Sequence, residues 1–167
     1  MRVTPEITGV LIEFSPMERQ LLETLLAQYD ELVHDELDDT DLADDPALGR
    51  LFPNAYPDDA EAASEFRKYT REGLVEHKSA NSGLVAAALM SADDAGRLVV
   101  ERGDAERWLP ALTDLRLVLA ERLGVRRDDD PLPNSDLADV YAWLGELQWS
   151  LVAALDPESA EVPEGFR

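Results

Sequence analysis

Three features of the amino-acid sequence predict a mainly α-helical fold with a small two-stranded β element, four to five helices packed around a central apolar helix. From Ala105 to Leu123, a 3.6-residue wheel puts Trp108, Leu109, Leu112, Leu115, Leu119 and Leu123 on one face, with Leu117 and Val118 opposite. A helix apolar on nearly all sides around Leu115 to Leu119 is expected to be covered from several directions. Thr8 to Phe14 alternates with Val10, Ile12 and Phe14 on one side, and Arg97 to Glu101 carries the run Leu98, Val99, Val100, so both read as strands and as each other's partner. Two short strands are marginal alone, which requires helices over one face.

The elements follow in order. Ser15-Pro16-Met17-Glu18 has the layout of a capping box, with Pro at the first helical position, and opens a helix predicted to reach about Leu37 with Leu22, Leu25, Leu26, Tyr29, Leu32 and Val33 as its apolar stripe. Asp45 to Pro57 holds three prolines and a glycine and reads as an ordered loop pinned by Leu51, Phe52 and Tyr56. Asp58 or Asp59 caps a helix expected to extend to about Ala80, with Ala62, Phe66, Tyr69 and Gly73 inward. Asn81-Ser82-Gly83 is expected to end that helix, leaving Leu84 to Met90 as a short buried segment. Asp104 is the predicted N-cap of the helix after the second strand, and Pro110, about one turn in, is expected to bend it or mark its start. Val125 to Ser135 is a linker, and Asn134 or Ser135 caps the last helix, whose stripe is Leu137, Val140, Tyr141, Leu144, Leu147, Leu151, Val152 and Leu155. Residues 1–155 are expected to form a single globular domain, followed by an acidic, disordered tail over 156–167.

Charge narrows the function. The 167 residues hold 36 acidic and 15 basic side chains, a formal net charge of −21. Such a field repels phosphate backbones, so direct nucleic-acid binding is disfavoured and a protein partner is favoured. The window from Arg97 to Arg127 runs against the trend, with seven arginines and five acids. There is no cysteine, which excludes disulfides, thiolate metal sites and thiol switching in this chain. No stretch has the length and apolarity of a membrane span, and no leader is apparent, so the expected location is the cytoplasm.

Motifs for chemistry are sparse. Asp39, Asp41 and Asp44 resemble a calcium loop but lack its glycine and closing glutamate. Glu31 and His34 match half of a di-iron motif, yet the other histidine, His77, has Leu74 where the glutamate belongs. His34 then serves as a helix-end residue complementing the dipole. Leu84 to Met90 has helix-turn-helix length but no side chain able to read a base edge. With no nucleophile–base pair, phosphate loop or metal-ligand cluster, neither catalysis nor a cofactor is expected.

The candidate contacts are basic or aromatic. Arg67, Arg71 and Lys78 line one helix face at spacings of four and seven, although Glu61, Glu65, Glu72 and Glu76 bring the window 61–80 to zero charge. Arg116 lies close to the main apolar face of its helix, where a carboxylate or several carbonyls must satisfy its donors, so it reads either as an ion pair clamping that helix to a neighbour or as a ligand or partner anchor. Trp149 points away from the stripe of the last helix and fits a partner or homodimer contact.

Two blocks, DPALGRLFPNAYPDDAEAASEFRKYT at 45–70 and WLPALTDLRLVLAERLGV at 108–125, together with YAWLGELQWSLVAAL at 141–155, resemble an actinobacterial family of unknown function. The resemblance covers most of the chain and implies a regulatory or adaptor protein, because some members are labelled oxidative-stress transcriptional regulators. Those work with a sigma factor and sense oxidation through paired cysteines. Without cysteine, redox sensing does not carry over. The partner implied is a protein, a sigma factor through the resemblance; direct DNA binding and a structural homodimer are the alternatives.

Overall fold

The computed structural model describes residues 1–35, 45–53, 58–127 and 130–156; within its third helix, the side chains of residues 60, 62–64, 67 and 68 fall outside the description. The predicted tail beyond Asp156, the calcium-like loop and Tyr56 therefore lie outside the described residues. The elements are strands β1 (Arg2–Pro5) and β2 (Gly9–Glu13), helices α1 (Pro16–Asp35), α2 (Pro46–Leu51) and α3 (Ala60–Met90), strand β3 (Arg97–Glu101), and helices α4 (Arg102–Leu123) and α5 (Asp136–Leu155). The fold is mainly helical, as expected, with five helices among the described residues.

The sheet has three strands rather than two, in the order β1-β2-β3, with both pairs antiparallel. The expected pairing of β2 with β3 is present, with Val10 opposite Val100 and Ile12 opposite Leu98. These residues and Phe14 are buried, as the alternation required. The additional strand, β1, is a four-residue edge joined to β2 by a tight turn in which the Glu6 N–H donates to the Gly9 carbonyl at 2.9 Å. Gly9 is required by close approach: a Cβ there would sit 2.0 Å from the Val100 carbonyl oxygen. Gly96, at φ +75°, turns the chain into β3 where a Cβ would meet the Phe14 carbonyl oxygen at 2.1 Å.

Helix α1 starts as its sequence requires. The Ser15 N–H donates to Glu18 Oε2 at 2.8 Å, and the Glu18 N–H donates back to Ser15 Oγ at 3.3 Å. At its other end His34 Nδ1 lies 2.8 Å from the Asp30 carbonyl oxygen. The segment read as an irregular loop contains α2, which Asp45 caps by accepting the Ala47 N–H at 2.9 Å, with Pro46 leading the first turn. Its apolar side, Ala47, Leu48 and Leu51, is buried together with Phe52.

Two helix boundaries differ from expectation. α3 passes straight through Asn81-Ser82-Gly83 and runs 31 residues, so the helix-turn-helix spacing does not exist. Asn81 and Ser82 are buried: Asn81 Oδ1 accepts from Arg107 Nε at 3.1 Å, and Ser82 Oγ donates to the Ser79 carbonyl at 3.0 Å. Tertiary and local bonds thus satisfy residues that otherwise favour a turn. α4 begins at Arg102, with Glu101 as N-cap, so Asp104 sits in the first turn, where its charge complements the helix dipole without capping.

α4 touches α1, α2, α3 and α5 and the two strands β2 and β3. Its first half is amphipathic, with Glu106, Arg107, Pro110 and Thr113 facing solvent, while every residue from Leu115 to Leu119 is buried or half-buried. Pro110 lies inside the helix on that exposed side, where water can meet the freed carbonyl. At the C-terminus Gly124 takes a left-handed conformation, φ 72°, and Val125 donates to the Ala120 carbonyl at 2.9 Å. α5 opens on Ser135, whose Oγ accepts the Ala138 N–H at 3.3 Å, and buries Leu144, Leu147 and Leu151 completely.

Candidate functional site

Arg116 emerges from the middle of α4 toward α5 and settles against it. Its guanidinium lies 4.8 Å from the centre of the Tyr141 ring; Nη1 donates to Gln148 Oε1 at 2.9 Å and Nη2 to Tyr141 Oη at 3.2 Å. Gln148 is itself fixed, its Nε2 donating to Thr113 Oγ1 at 2.6 Å and to the Leu109 carbonyl at 3.3 Å. The carboxylate partner expected for Arg116 is replaced by an amide, a phenol and a ring face. The clamp between α4 and α5 is therefore built from neutral groups and keeps the full positive charge.

This guanidinium forms one wall of a cleft of about 330 Å³, shared with Arg50 from α2 and with Arg126 and Arg127 from the segment after α4. Arg50 pairs with Glu121 and donates to the Val125 carbonyl at 2.7 Å. Arg126 forms a two-pronged pair with the same Glu121, both contacts 3.1 Å. Asp130 accepts the backbone N–H groups of Arg126 and Arg127, at 2.6 and 2.9 Å, and these bonds hold its carboxyl below the usual carboxylate range. Only Arg116 of this set was singled out as a site residue from the sequence. The arginine-rich window 97–127 within an acidic chain is the signal for Arg126 and Arg127, whereas Arg50 lies outside it.

The predicted basic stripe on α3 is divided. Lys78 is turned inward, its Nζ 2.7 Å from Asp114 Oδ1 and 5.7 Å from the centre of the Phe52 ring. Asp114 also accepts the Tyr29 O–H at 2.9 Å, so one buried carboxylate ties α1, α3 and α4 together. Arg71 is half-buried, and the Arg67 side chain lies outside the described residues. The surface about them is aromatic and exposed instead of inward: Tyr69 is 81% and Phe66 39% accessible, against the expectation that they face the core. Trp149 is exposed, at 59%, with Val152 at 43% one turn further along α5. Arg116 and Trp149 belong to the α4–α5 side, whereas Arg71 stands on α3.

A second groove, about 370 Å³, runs between α1 and α4 and is mostly apolar, lined by Leu25, Leu32, Leu115 and Val118 with Glu31 and Arg122 at its polar edge. Arg122 makes a two-pronged contact with Asp45, which holds the Asp45 carboxyl below its usual range. Among the described residues no three His, Cys, Asp or Glu side chains are grouped to hold a metal ion.

Burial, and then the neighbouring Asp114 charge, push the Tyr29 phenol well above its ordinary value, so it remains an O–H donor. The unfolded chain ionises this phenol near pH 10 while the folded chain does not, so its contribution is complete below about pH 10 and lost as pH rises further. Tyr29→Phe is therefore expected to flatten the alkaline limb of a stability–pH curve measured by urea unfolding between pH 8 and 11.

The described residues make a mainly helical α+β domain whose distinctive features are an arginine-walled cleft and an exposed tryptophan, and no described helix is long and apolar enough to cross a membrane. The chain belongs to the family DUF2017, a domain of unknown function, whose model matches residues 1–155. It is similar to the "Oxidative stress regulator AosR" of Mycobacterium tuberculosis H37Rv and of Mycobacterium bovis, 37% identical over 127 residues that cover 66% of this chain and 58% of theirs. It is also similar to the "Putative oxidative stress regulator AosR" of Mycobacterium leprae, 32% identical over 133 residues, 67% of this chain and 59% of that protein. The matched segment thus spans under two thirds of each relative's length. No solved structure matches the chain.

Proposed function

We propose that this chain is a regulatory domain that acts by contacting another protein, with a sigma factor as the partner in transcription. The observation that carries the reading is Trp149: a large aromatic side chain exposed on α5 beside Val152, on a helix whose opposite face is completely buried. Leaving a tryptophan in water is unfavourable, and tryptophan is the residue most enriched among those that dominate protein interfaces. The mycobacterial relatives named as oxidative stress regulators support a regulatory role. The net charge of −21 favours action through a protein already on DNA over direct contact with phosphates. Thiol-based sensing is no part of the proposal, since the chain has no cysteine.

The test is co-purification from a native host, followed by binding of the recovered partner to wild-type and Trp149→Ala protein. At least tenfold weaker binding with an unchanged melting temperature is expected. Undiminished recovery removes Trp149 from the interface, and recovery of no sigma factor removes that partner. A mobility shift over a salt series addresses the competing reading: a complex that weakens steeply with salt assigns DNA contact to the chain itself.

A further inference from the structure

We propose that the cleft between α4 and α5 binds a small ligand carrying an oxyanion, a phosphate or carboxylate group. The proposal is independent of the protein-partner reading. Arg50, Arg116, Arg126 and Arg127 converge on one cavity in a chain that is otherwise strongly acidic. Gathering like charges is unfavourable unless something opposite in sign answers them. Glu121 answers Arg50 and Arg126. Asp130 is directed at backbone N–H groups. Among the described residues, no carboxylate pairs with the guanidinium of Arg116 or of Arg127.

Arg116 is also fixed in place before any ligand arrives. Gln148 and Tyr141 orient it, and Thr113 holds Gln148 in turn. Two of its five N–H groups have acceptors among the described residues, and Nε is enclosed, so a ligand meets the Nη side of the group. A guanidinium held rigidly, short of acceptors and without a counter-charge is arranged to receive a planar or tetrahedral oxyanion. Tyr141 Oη accepts from Arg116 and so keeps its own O–H to donate. Leu117, Ala120 and Val125 supply an apolar lining for the carbon part of the ligand. The volume, about 330 Å³, lies at the small end of ligand sites, which selects a small molecule over a peptide.

The experiment is a two-dimensional ¹H–¹⁵N NMR titration of the full chain, including arginine Nε–H signals, with inorganic phosphate, with citrate, and with sodium chloride at matched ionic strength. Saturable shifts at the amides of residues 125–127 and at Arg116 are expected with phosphate or citrate and not with chloride. Arg127→Ala, an exposed position, is expected to weaken the binding at least fivefold with the spectrum otherwise retained. Arg116→Lys, which keeps the charge but loses the planar fork, is expected to do the same, and Arg19→Ala on α1 is expected to leave binding unchanged. Shifts that do not saturate, that chloride reproduces, or that survive Arg127→Ala overturn the proposal. If Arg116→Lys fails to fold, Arg127→Ala alone decides. A glutamate-rich peptide that saturates the cleft more tightly than both small anions overturns the assignment to a small ligand.

Discussion

Trp108→Ala is expected to lower the free energy of unfolding by about 3–5 kcal/mol. The side chain is completely buried and belongs to the core where α4 meets the sheet and the other helices. A cavity of that size on an element touching six others cannot be closed by moving one neighbour. Folded domains carry roughly 5–15 kcal/mol in total, so this substitution consumes a large share of the margin. Among the described residues, however, the indole N–H has no hydrogen-bond acceptor. Trp108→Phe, which removes that unsatisfied donor while keeping an aromatic ring, is accordingly expected to cost less than half as much. Urea unfolding followed by far-ultraviolet circular dichroism separates the two. Equal losses for Phe and Ala would mean that the N–H contributes a bond after all.

Asp114→Ala is expected to cost about 3 kcal/mol, for an electrostatic reason. Asp114 accepts from Tyr29 and Lys78, and its side chain and that of Lys78 are 10% and 17% accessible. Removing the carboxylate leaves an enclosed ammonium without a counter-charge and a buried phenol without an acceptor. Asp114→Asn keeps an acceptor and is expected to cost less. Combining Asp114→Ala with Lys78→Met, which removes the stranded charge, is expected to restore part of the loss, so the double substitution should be more stable than the sum of the singles. Strict additivity in the denaturation midpoints would show that the pair does not interact.

These two residues mark how far the sequence could be read. Trp108 was legible as core because a 3.6-residue period puts it in line with Leu112, Leu115 and Leu119, and local periodicity is all that such a reading needs. The same holds for Val10, Ile12 and Phe14 in β2, for the Ser15–Glu18 capping box and for Ser135. Lys78 and Asp114 were not legible as a pair. On its own helix Lys78 aligns with Arg67 and Arg71 as a surface stripe, and only the crossing of α3 over α4 brings it to a carboxylate 36 positions away.

Errors of boundary have the same origin. Asn81-Ser82-Gly83 carries the composition of a turn, but Arg107 supplies the donor for Asn81 Oδ1, and keeping the trio helical with Asn81 and Ser82 buried becomes the lower free energy. β1 is too short for a period to show, and it exists because β2 offers it an edge. The Asp45-Pro46 start of α2 is the same signal as Ser15-Pro16 and was masked by the prolines that follow.

By itself, the sequence determined the helical class, the pairing of β2 with β3, the main core residues, the acidic surface and the absence of thiol chemistry, because each depends on composition or on contacts within a few residues. The third strand, the unbroken α3, the inward turn of Lys78 and the cleft were decided only by tertiary structure. Arg50 stands 66 positions before Arg116 and 76 before Arg126. Like charges that far apart in the chain meet only when the packing of α2, α4 and α5 places them around one space.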